Sequence, residues 1–232
     1  MNKNQKTITA LLAVGIVALI LFLIDMVGII KESNWVAKFD LYWIHHIHTD
    51  FTSGKTAFIK FYTHLGSAEF VIVYTVIIAL ILFAFRKFVT GLWFGGTVLV
   101  GAIIVNYLLK HIVSRVRPAQ GQWLVQESGF SFPSGHATAS AVFFSLAALF
   151  LMLVVHKVYQ RIVIGVVAFL LILSIMYSRI YLGVHYPTDV LGGLLIGVAA
   201  STISVAVYLL VKAPLHQLLR KWRLNDKTNL GN

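Results

Sequence analysis

Cysteine is absent from this chain of 232 residues, and charged residues make up only 12% of it. The absence of cysteine excludes disulfide bonds, thiolate nucleophiles and cysteine-ligated metal sites. Soluble domains carry roughly 25% charged residues, so this chain has too few charges for an ordinary water-facing surface. Hydrophobic residues instead make up 59% of the chain, and its mean hydropathy is +0.85. This balance excludes a soluble enzyme, a disordered chain and a disulfide-stapled secreted domain.

Long uncharged runs fill the sequence between its few charges. A helix needs roughly 17–25 mostly apolar residues to cross the hydrocarbon core of a membrane, and six runs of 16 to 22 residues approach or reach this length. We therefore predict an all-α fold, an integral membrane bundle of six transmembrane helices in a single domain, residues 1–232. The first run is expected to be retained, since Asp25 follows it where a signal peptidase would need small residues. The six runs are Ile8–Ile24, Phe70–Phe85, Phe88–Leu109, Ala137–Val155, Ile162–Tyr177 and Val190–Val211.

Acidic residues are also scarce, with eight Asp and Glu against nineteen Lys and Arg, and the net charge is +11. Because these cations are scattered between apolar runs, we expect an anionic lipid bilayer as their partner and no nucleic acid. With six spans both termini lie on one side, which then carries eleven of the nineteen basic residues. The cytoplasmic side carries the Lys and Arg excess. We therefore predict a multi-pass plasma (cell) membrane protein with both termini in the cytoplasm. The sequence does not determine the number of subunits.

Two amphipathic segments lie outside the predicted spans. The segment Val36–His48 predicts an interfacial helix on the extracytoplasmic side, with its aromatic residues at headgroup level. The same segment contains His45, His46 and His48, and a metal-binding cluster is the alternative there, although no acidic or cysteine ligand completes one. The tail Leu215–Arg223 predicts a second interfacial helix, at the inner leaflet. The residues at helical spacing in the first segment are Val36, Phe39, Trp43 and Ile47.

Cations and a serine–glycine pair gather at span ends on the predicted extracytoplasmic face. Lys110, Arg117 and Arg179 lie in two of the loops on this face. Three converging cations beside helix N-termini are typical of a site for a multiply charged oxyanion. Ser134 and Gly135 open the fourth span, where unpaired N–H groups can hold phosphate oxygens and glycine allows a close approach. These five residues are candidates for binding a phosphoryl group.

Two histidines and a carboxylate lie in the same loops. His185 is followed four residues later by Asp189, which can fix the tautomer of the histidine and stabilise its imidazolium form. His136 is a second candidate for acid–base chemistry. Attack of a histidine on phosphorus would give a phosphohistidine and divide hydrolysis into two easier steps. Arg115 remains open between a fourth phosphate ligand and a lipid headgroup contact, and we expect Glu127 to be solvated.

Three strings in this region resemble the signature of the type 2 phosphatidic acid phosphatase (PAP2) family. Its pattern is K-x6-R-P, then P-S-G-H, then S-R-x5-H-x3-D, and no position of this chain departs from it. The motif core covers residues 110–189, and a six-span layout fits the membrane branch of the family. The matching strings are Lys110 to Pro118, Pro133 to His136 and Ser178 to Asp189.

This resemblance implies a membrane-embedded lipid phosphate phosphatase that needs neither a metal nor another cofactor. The chain resembles the bacterial phosphatidylglycerophosphate phosphatases and undecaprenyl-diphosphate phosphatases most. We expect it to hydrolyse phosphatidylglycerophosphate and related lipid phosphates such as phosphatidate. Undecaprenyl-diphosphate hydrolysis is the alternative, and a lipid-phosphate carrier or flippase is the alternative without catalysis. The resemblance implies His185 as nucleophile, Asp189 as its orienting partner, His136 as general acid, and Lys110, Arg117, Ser134, Gly135 and Arg179 as phosphate ligands.

Overall fold

The computed structural model describes residues 3–48, 51–221 and 225–228. All regular structure in these residues is helical, which confirms the predicted all-α class. Short 3-10 turns lie at His64–Gly66 and Gln120–Gln122, and a π-helical turn lies at Leu99–Ile104. The helices are α1 (Lys3–Ile30), α2 (Asn34–Ile47), α3 (Ser53–Thr63), α4 (Ala68–Ala84), α5 (Phe88–Val98), α6 (Val105–Val113), α7 (Gly135–Val154), α8 (Val158–Tyr181) and α9 (Pro187–Lys221).

Five helical stretches of the described chain are long and apolar enough to cross a membrane. A sixth candidate is the pair α3–α4, which is bent by 48° and counts only if the two helices form one span. The bend follows Gly66, and the Ser67 hydroxyl then caps α4 by accepting the N–H of Phe70 at 3.4 Å. The six predicted runs coincide with these stretches and overshoot them by at most one residue. The described residues therefore contain five to six candidate spans.

The stretch from Phe88 to Val113 is one continuous helix made of α5, the π-helical turn and α6. π-helical turns inside α-helices occur frequently at functional sites, and this one lies directly before the turn that carries Asn106. Helix α6 ends at Ser114, which has a left-handed conformation with φ of 50°. The chain is thereby redirected, so that Arg115 reaches the start of α9.

Helices α7 and α9 pack closely because small residues face each other. A Cβ atom on Gly197 would lie 2.5 Å from the Cβ of Ala141, which is too close for a real contact. Glycine at such positions lets two membrane helices bring their backbones together. The N-terminal ends of both helices consequently meet, and the N–H of Ser134 donates to the carbonyl of Asp189 at 3.0 Å.

Helix α2 matches the amphipathic helix predicted at Val36–His48 to within two residues at its start. It buries Val36 and Asp40 against the rest of the protein. Its outer side is aromatic, with 44%, 57% and 43% exposure at Trp35, Tyr42 and Trp43.

The prediction of a separate helix beyond Pro214 is wrong. Helix α9 continues through Pro214 to Lys221 without a break. A proline removes one backbone donor, and neighbouring groups in membrane helices satisfy the freed carbonyl well enough for the helix to continue. The last two residues of the predicted segment, 222 and 223, lie outside the described residues.

Candidate active site

Two helix N-termini frame the site, and both begin where the sequence predicts. The hydroxyl of Ser134 caps α7 by accepting the N–H three residues later at 3.5 Å. Helix α9 begins at Pro187, and Asp189 lies in its first turn. A Cβ atom on Gly135 would meet nothing closer than the Oδ1 of Asn106 at 3.7 Å. Space therefore remains beside the first turn of α7.

His185 and Asp189 form a buried pair at the start of α9. The His185 Nδ1 lies 3.4 Å from the Asp189 Oδ2, and the two side chains are 2% and 0% exposed. Asp189 also accepts hydrogen bonds from the Ser131 hydroxyl and from the N–H of Tyr186. The other ring nitrogen, Nε2, lies 3.1 Å from the Nη1 of Arg117. One ring nitrogen thus faces a carboxylate, as the histidine of a catalytic triad does, and the other lies beside a cation that can bind an anion.

Burial also determines the charge of the His185 ring. It lowers the pKa of this imidazole from its ordinary value of 6.5 to about 3, against the opposing effect of the hydrogen bond and charge of Asp189. The cations Arg117 and Arg179 lower the pKa further. The ring is therefore neutral at physiological pH, and Nε2 retains the lone pair that attack on phosphorus needs.

Arg117 and Lys110 are held by main-chain carbonyl groups of the loop between α6 and α7 and of the α8–α9 loop. Carbonyl acceptors fix these side chains without cancelling their formal charges, so both remain able to bind an anion. Lys110 lies near enough to Arg117, Arg179 and Asp189 for their charges to affect it. The carbonyl partners are Gly129 (3.0 Å), Val184 (2.9 Å) and Ser128 (2.9 Å) for Arg117, and Phe130 for Lys110.

Arg179 is buried at the end of α8 and faces a carboxylate. Its Nη1 donates to the Thr63 hydroxyl at 3.3 Å, and its Nη2 forms an ion pair with Glu127. Its buried Nε has no hydrogen-bond partner among the described residues. Glu127 also lies 3.7 Å from the Nη2 of Arg117. The expectation that Glu127 is solvated is therefore wrong, because its loop folds back over the cations and its carboxylate lies between two guanidinium groups.

His136 lies in the first turn of α7, half-buried, within range of the charge of Arg179 and of the His185 ring. Asn106 stabilises the backbone beside it by donating to the Pro133 carbonyl at 3.3 Å and to the Thr138 hydroxyl at 2.9 Å. A second imidazole thus lies near the cations, and no carboxylate of the described residues forms an ion pair with it.

Arg115 takes a role that neither predicted alternative included. Its Nη1 lies 2.7 Å from the Oδ1 of Asp189, and its Nη2 lies 2.7 Å from the Oδ2 of Asp40. The guanidinium also stacks on the Tyr186 ring at 4.1 Å. Arg115 is thus bound to two carboxylates, and its role as a phosphate ligand or a headgroup contact stays a prediction.

The eight candidate residues meet in one place, and the structure adds partners that sequence reasoning missed. Asp40, Asn106 and Ser131 are the clearest of these. Asp40 lies four residues from both Val36 and Ile44. An acidic residue on the apolar face of α2 could therefore have indicated a buried polar contact from the sequence alone. Asn106 was also detectable, since it lies one helical turn before Lys110. The contact of Ser131 with Asp189 has no local sequence signal.

Two of the three histidines in the α2 segment, His46 and His48, contact main-chain carbonyls. The His46 Nδ1 lies 2.7 Å from the Tyr42 carbonyl, and the His48 Nε2 lies 2.7 Å from the Ile180 carbonyl. Within the described ranges, no group of three or more histidine or acidic side chains is arranged to hold a metal ion.

A family model described as the PAP2 superfamily matches residues 90–212, which is more than half of the chain. The chain belongs to the PAP2 superfamily. All of the candidate site residues lie within the matched range, and so do the α7–α9 contacts that bring them together.

Several known proteins are similar to this PAP2 chain. Phosphatidylglycerophosphatase B of Bacillus subtilis is 42% identical over 144 residues, which are 58% of this chain and 66% of that protein. An undecaprenyl-diphosphatase of Sulfolobus acidocaldarius is 32% identical over 111 residues, which are 46% of this chain and 50% of that protein. The matched regions therefore span between half and just under two thirds of these relatives.

The fold is also similar to a solved structure. The crystal structure of a transmembrane PAP2-type phosphatidylglycerolphosphate phosphatase from Bacillus subtilis superimposes with a TM-score of 0.73 at 30% identity. The superposition covers 85% of this chain and 96% of that chain. This likeness supports a multi-pass membrane protein with the same helical architecture.

Proposed function

We propose that this protein is a metal-independent lipid phosphate phosphatase that hydrolyses phosphatidylglycerophosphate and related lipid phosphates such as phosphatidate. The observation that carries this proposal is the orientation of His185. Its Nδ1 faces the buried carboxylate of Asp189, and its Nε2 faces Arg117 within the cluster of cations. A nucleophile that faces an anion site is the arrangement expected of a phosphatase, and membership of the PAP2 superfamily agrees with it.

Three cations would form the phosphate seat, which is the place where the phosphoryl group binds. Lys110, Arg117 and Arg179 lie close enough there for their charges to interact. The buried Nε of Arg179 has no acceptor among the described residues, and a phosphoryl oxygen would supply one. A buried N–H group without a partner is costly, so a bound anion would relieve this cost. The first turn of α7, beside Ser134 and Gly135, would direct further N–H groups at the anion.

The reaction would proceed in two steps. The Nε2 lone pair of His185 attacks phosphorus while the bond to the lipid oxygen breaks, and His136 donates a proton to that oxygen. Asp189 accepts the Nδ1–H of His185 and stabilises the positive charge that develops on the ring. In the second step His136 takes a proton from a water molecule, which attacks the phosphohistidine and releases inorganic phosphate and neutral His185.

The membrane placement follows from the same features. We infer that α3 and α4 form one bent span, so that the total is six and both termini are cytoplasmic. The site would then open on the extracytoplasmic side, with α2 in the interface and its exposed Trp35, Tyr42 and Trp43 at headgroup level.

Undecaprenyl-diphosphate hydrolysis is the second candidate activity, favoured by the Sulfolobus relative. The site chemistry suits both substrates, because both present a terminal phosphoryl group on a lipid. A lipid-phosphate carrier or flippase would use the cations but has no need for the His185–Asp189 pair, so the pair favours catalysis.

The test is phosphate release by the purified protein at one detergent concentration. The panel contains phosphatidylglycerophosphate, phosphatidate and undecaprenyl diphosphate, each with and without excess EDTA, and His185→Ala is the control. We expect release that EDTA does not abolish, fastest with phosphatidylglycerophosphate, and none from the control. Release by His185→Ala at the wild-type rate would refute the mechanism. Binding without release from any lipid would favour a carrier, and a strict need for Mg²⁺ would refute metal independence.

A further inference from the structure

An arginine behind the histidine–aspartate pair links the catalytic carboxylate to the helix at the membrane surface. We propose that Arg115, anchored by Asp40 of α2, is a positioning residue that holds the carboxylate of Asp189 in line with His185. The inference rests on the proposed phosphatase function and deepens it. It concerns the side of Asp189 that faces away from the phosphate seat.

The contacts of Asp189 divide between its two oxygens. The Oδ1 binds the Nη1 of Arg115 at 2.7 Å, whereas the Oδ2 faces the Nδ1 of His185 and accepts the N–H of Tyr186 at 2.8 Å. The Ser131 hydroxyl also donates to the Oδ2, so this oxygen is fixed from its own side. The Arg115 contact holds the second oxygen and so restrains the carboxylate from rotating about its terminal bond. The ring contact is long, at 3.4 Å, and is therefore sensitive to small rotations.

Asp40 fixes the other end of the guanidinium. It is 4% exposed and binds the Nη2 of Arg115 at 2.7 Å. It also accepts the N–H of Thr188 at 2.8 Å and the Thr188 hydroxyl at 2.9 Å. The Thr188 hydroxyl in turn accepts the Nη1 of Arg115 at 2.7 Å. One carboxylate of α2 thus secures both Arg115 and the first turn of α9, the turn that carries Asp189.

The charges around Arg115 exclude it from the phosphate seat. Two carboxylates, Asp40 and Asp189, already neutralise the guanidinium, and its flat face is covered by Tyr186 at 4.1 Å. Asp25, a third buried carboxyl group, lies near enough for Asp40 and Asp189 to influence it, and neither of its oxygens has a hydrogen-bond partner in the described chain. A cation is therefore needed at this point to keep Asp189 ionised among other acidic groups.

The shape of arginine matters as well as its charge. The planar guanidinium presents several donors in a rigid fork, so one group can bind two carboxylates at fixed angles. A lysine at position 115 would supply a single point charge and could not hold Asp40 and Asp189 in the same geometry. Partners that orient metal ligands typically contribute about 10–100-fold to affinity or activity, and we expect a similar range for a partner that orients a catalytic carboxylate.

The test is a set of double-mutant cycles on phosphate release. Arg115→Gln and Asp40→Asn are made singly and in the Asp189→Asn background, with Lys38→Gln as the control because Lys38 is an exposed cation on the same helix as Asp40. We expect Arg115→Gln to lower kcat by about 10–100-fold with KM changed less than twofold. In the Asp189→Asn background the same change should cost less than threefold, because Arg115 acts through Asp189.

Two outcomes would overturn the proposal. A raised KM, or a weaker inhibition constant for inorganic phosphate, with kcat preserved would make Arg115 a phosphate ligand. If the losses of kcat from Arg115→Gln and Asp189→Asn multiply when the two changes are combined, Arg115 has a role independent of Asp189. If Arg115→Gln does not yield folded protein, the Asp40→Asn cycle decides in the same way.

A readout that needs no turnover separates this inference from the proposed function. The Nδ1–H proton of His185 should give a downfield resonance while it is bonded to Asp189. We expect Arg115→Gln to shift or broaden it and Lys38→Gln to leave it unchanged, and an unaltered resonance in Arg115→Gln would overturn the inference. Absence of phosphate release from the wild-type protein would instead overturn the proposed function, whatever the resonance does.

Discussion

Burial of the His185 ring determines how this histidine responds to acid. With the pKa of His185 lowered from 6.5 to about 3 by burial, the folded protein keeps this ring neutral over a range in which an unfolded chain would protonate it. The unfolded state therefore binds more protons between these two values, and the contribution of His185 to stability rises with pH across this window. Within the same window, protonation of His185 should not inactivate the enzyme.

This expectation can be checked by nitrogen NMR of histidine-labelled protein, with the His185→Ala spectrum subtracted to isolate the signal. We expect the difference signal to remain that of a neutral imidazole when the pH is lowered from 7 to 5. A protonation midpoint near 6.5 would show that the ring is solvated in the folded protein.

We expect Glu127 to compete with a bound phosphoryl group for the cations. Its carboxylate forms ion pairs with Arg179 and Arg117 in the place where a phosphoryl group would bind. Glu127→Gln removes this negative charge while preserving the shape of the side chain. We expect KM for lipid phosphates to fall by roughly 3- to 10-fold, since like-charge juxtaposition costs up to several kcal/mol, with kcat changed little. Glu69→Gln on α4 is the matched control, and an increase in KM would mean that Glu127 holds the arginines in place for the substrate.

His136 should matter in proportion to the basicity of the leaving oxygen. A phosphatidylglycerophosphate ester expels an alkoxide, whose conjugate acid is about as weak as water, with a pKa of about 15.7. A lipid diphosphate expels a phosphate ester, whose conjugate acid titrates near pH ~6. General acid catalysis contributes about 10²–10⁴-fold, so His136→Ala should cost the monophosphate most of that range and the diphosphate much less.

The measurement is kcat/KM for both lipids, because this ratio reports transition-state stabilisation from free enzyme and substrate. His185→Ala is the control and should remove both activities without discrimination. Equal losses for the two lipids in His136→Ala, with phosphoryl transfer rate-limiting, would make His136 a phosphate ligand.

At the scale of elements, a segment near the C-terminus stabilises a helix far from it in sequence. Helix α5 begins after Lys87, whose side chain makes no cap. The Oδ1 of Asp226 instead accepts the N–H of Phe88 at 2.6 Å and the N–H of Val89 at 3.4 Å. Asp226 thus serves as a cap supplied from another part of the chain, and its negative charge is favourable at a helix N-terminus.

Asp226→Ala should therefore destabilise the protein without affecting the site on the other face. A lost N-cap costs about 0.5–2 kcal/mol, and for a chain of this size each kcal/mol lowers the Tm by roughly 2–4 °C. Thermal unfolding in detergent measures this, with Asn225→Ala as the control at the exposed neighbouring position. An unchanged Tm in Asp226→Ala would mean that the contact adds no stability.

The whole molecule has an orientation in the membrane that its charges predict. With six spans, eleven of the nineteen basic residues would lie on the side of the termini, so the loop after α6 should be extracytoplasmic. The chain has no cysteine, so a single engineered one reports on its own position. Gln120→Cys in that loop should react with an impermeant thiol reagent in intact cells. Lys157→Cys, in the exposed turn between α7 and α8, should react only after permeabilisation, and the reverse pattern would invert the topology.

Local features of this protein were determined by the sequence alone. Hydropathy depends on composition over about twenty residues, so the apolar runs locate the helical stretches, although several helices extend several residues beyond the runs. The cap of α7 at Ser134 and the start of α9 at Pro187 follow from the chemistry of single residues at helix ends. The pairing of His185 with Asp189 follows from a spacing of four residues at the start of a helix.

Contacts between distant residues were decided only by the tertiary structure. Arg115 binds Asp40 and Asp189 across 75 and 74 residues, and Glu127 binds Arg179 across 52. Such pairs depend on how α2, the loop after α6 and the start of α9 pack together, which no local pattern encodes. The left-handed turn at Ser114 and the close approach of Gly197 to Ala141 bring these elements into contact. The roles of Arg115 and Glu127 therefore became visible only in the folded chain.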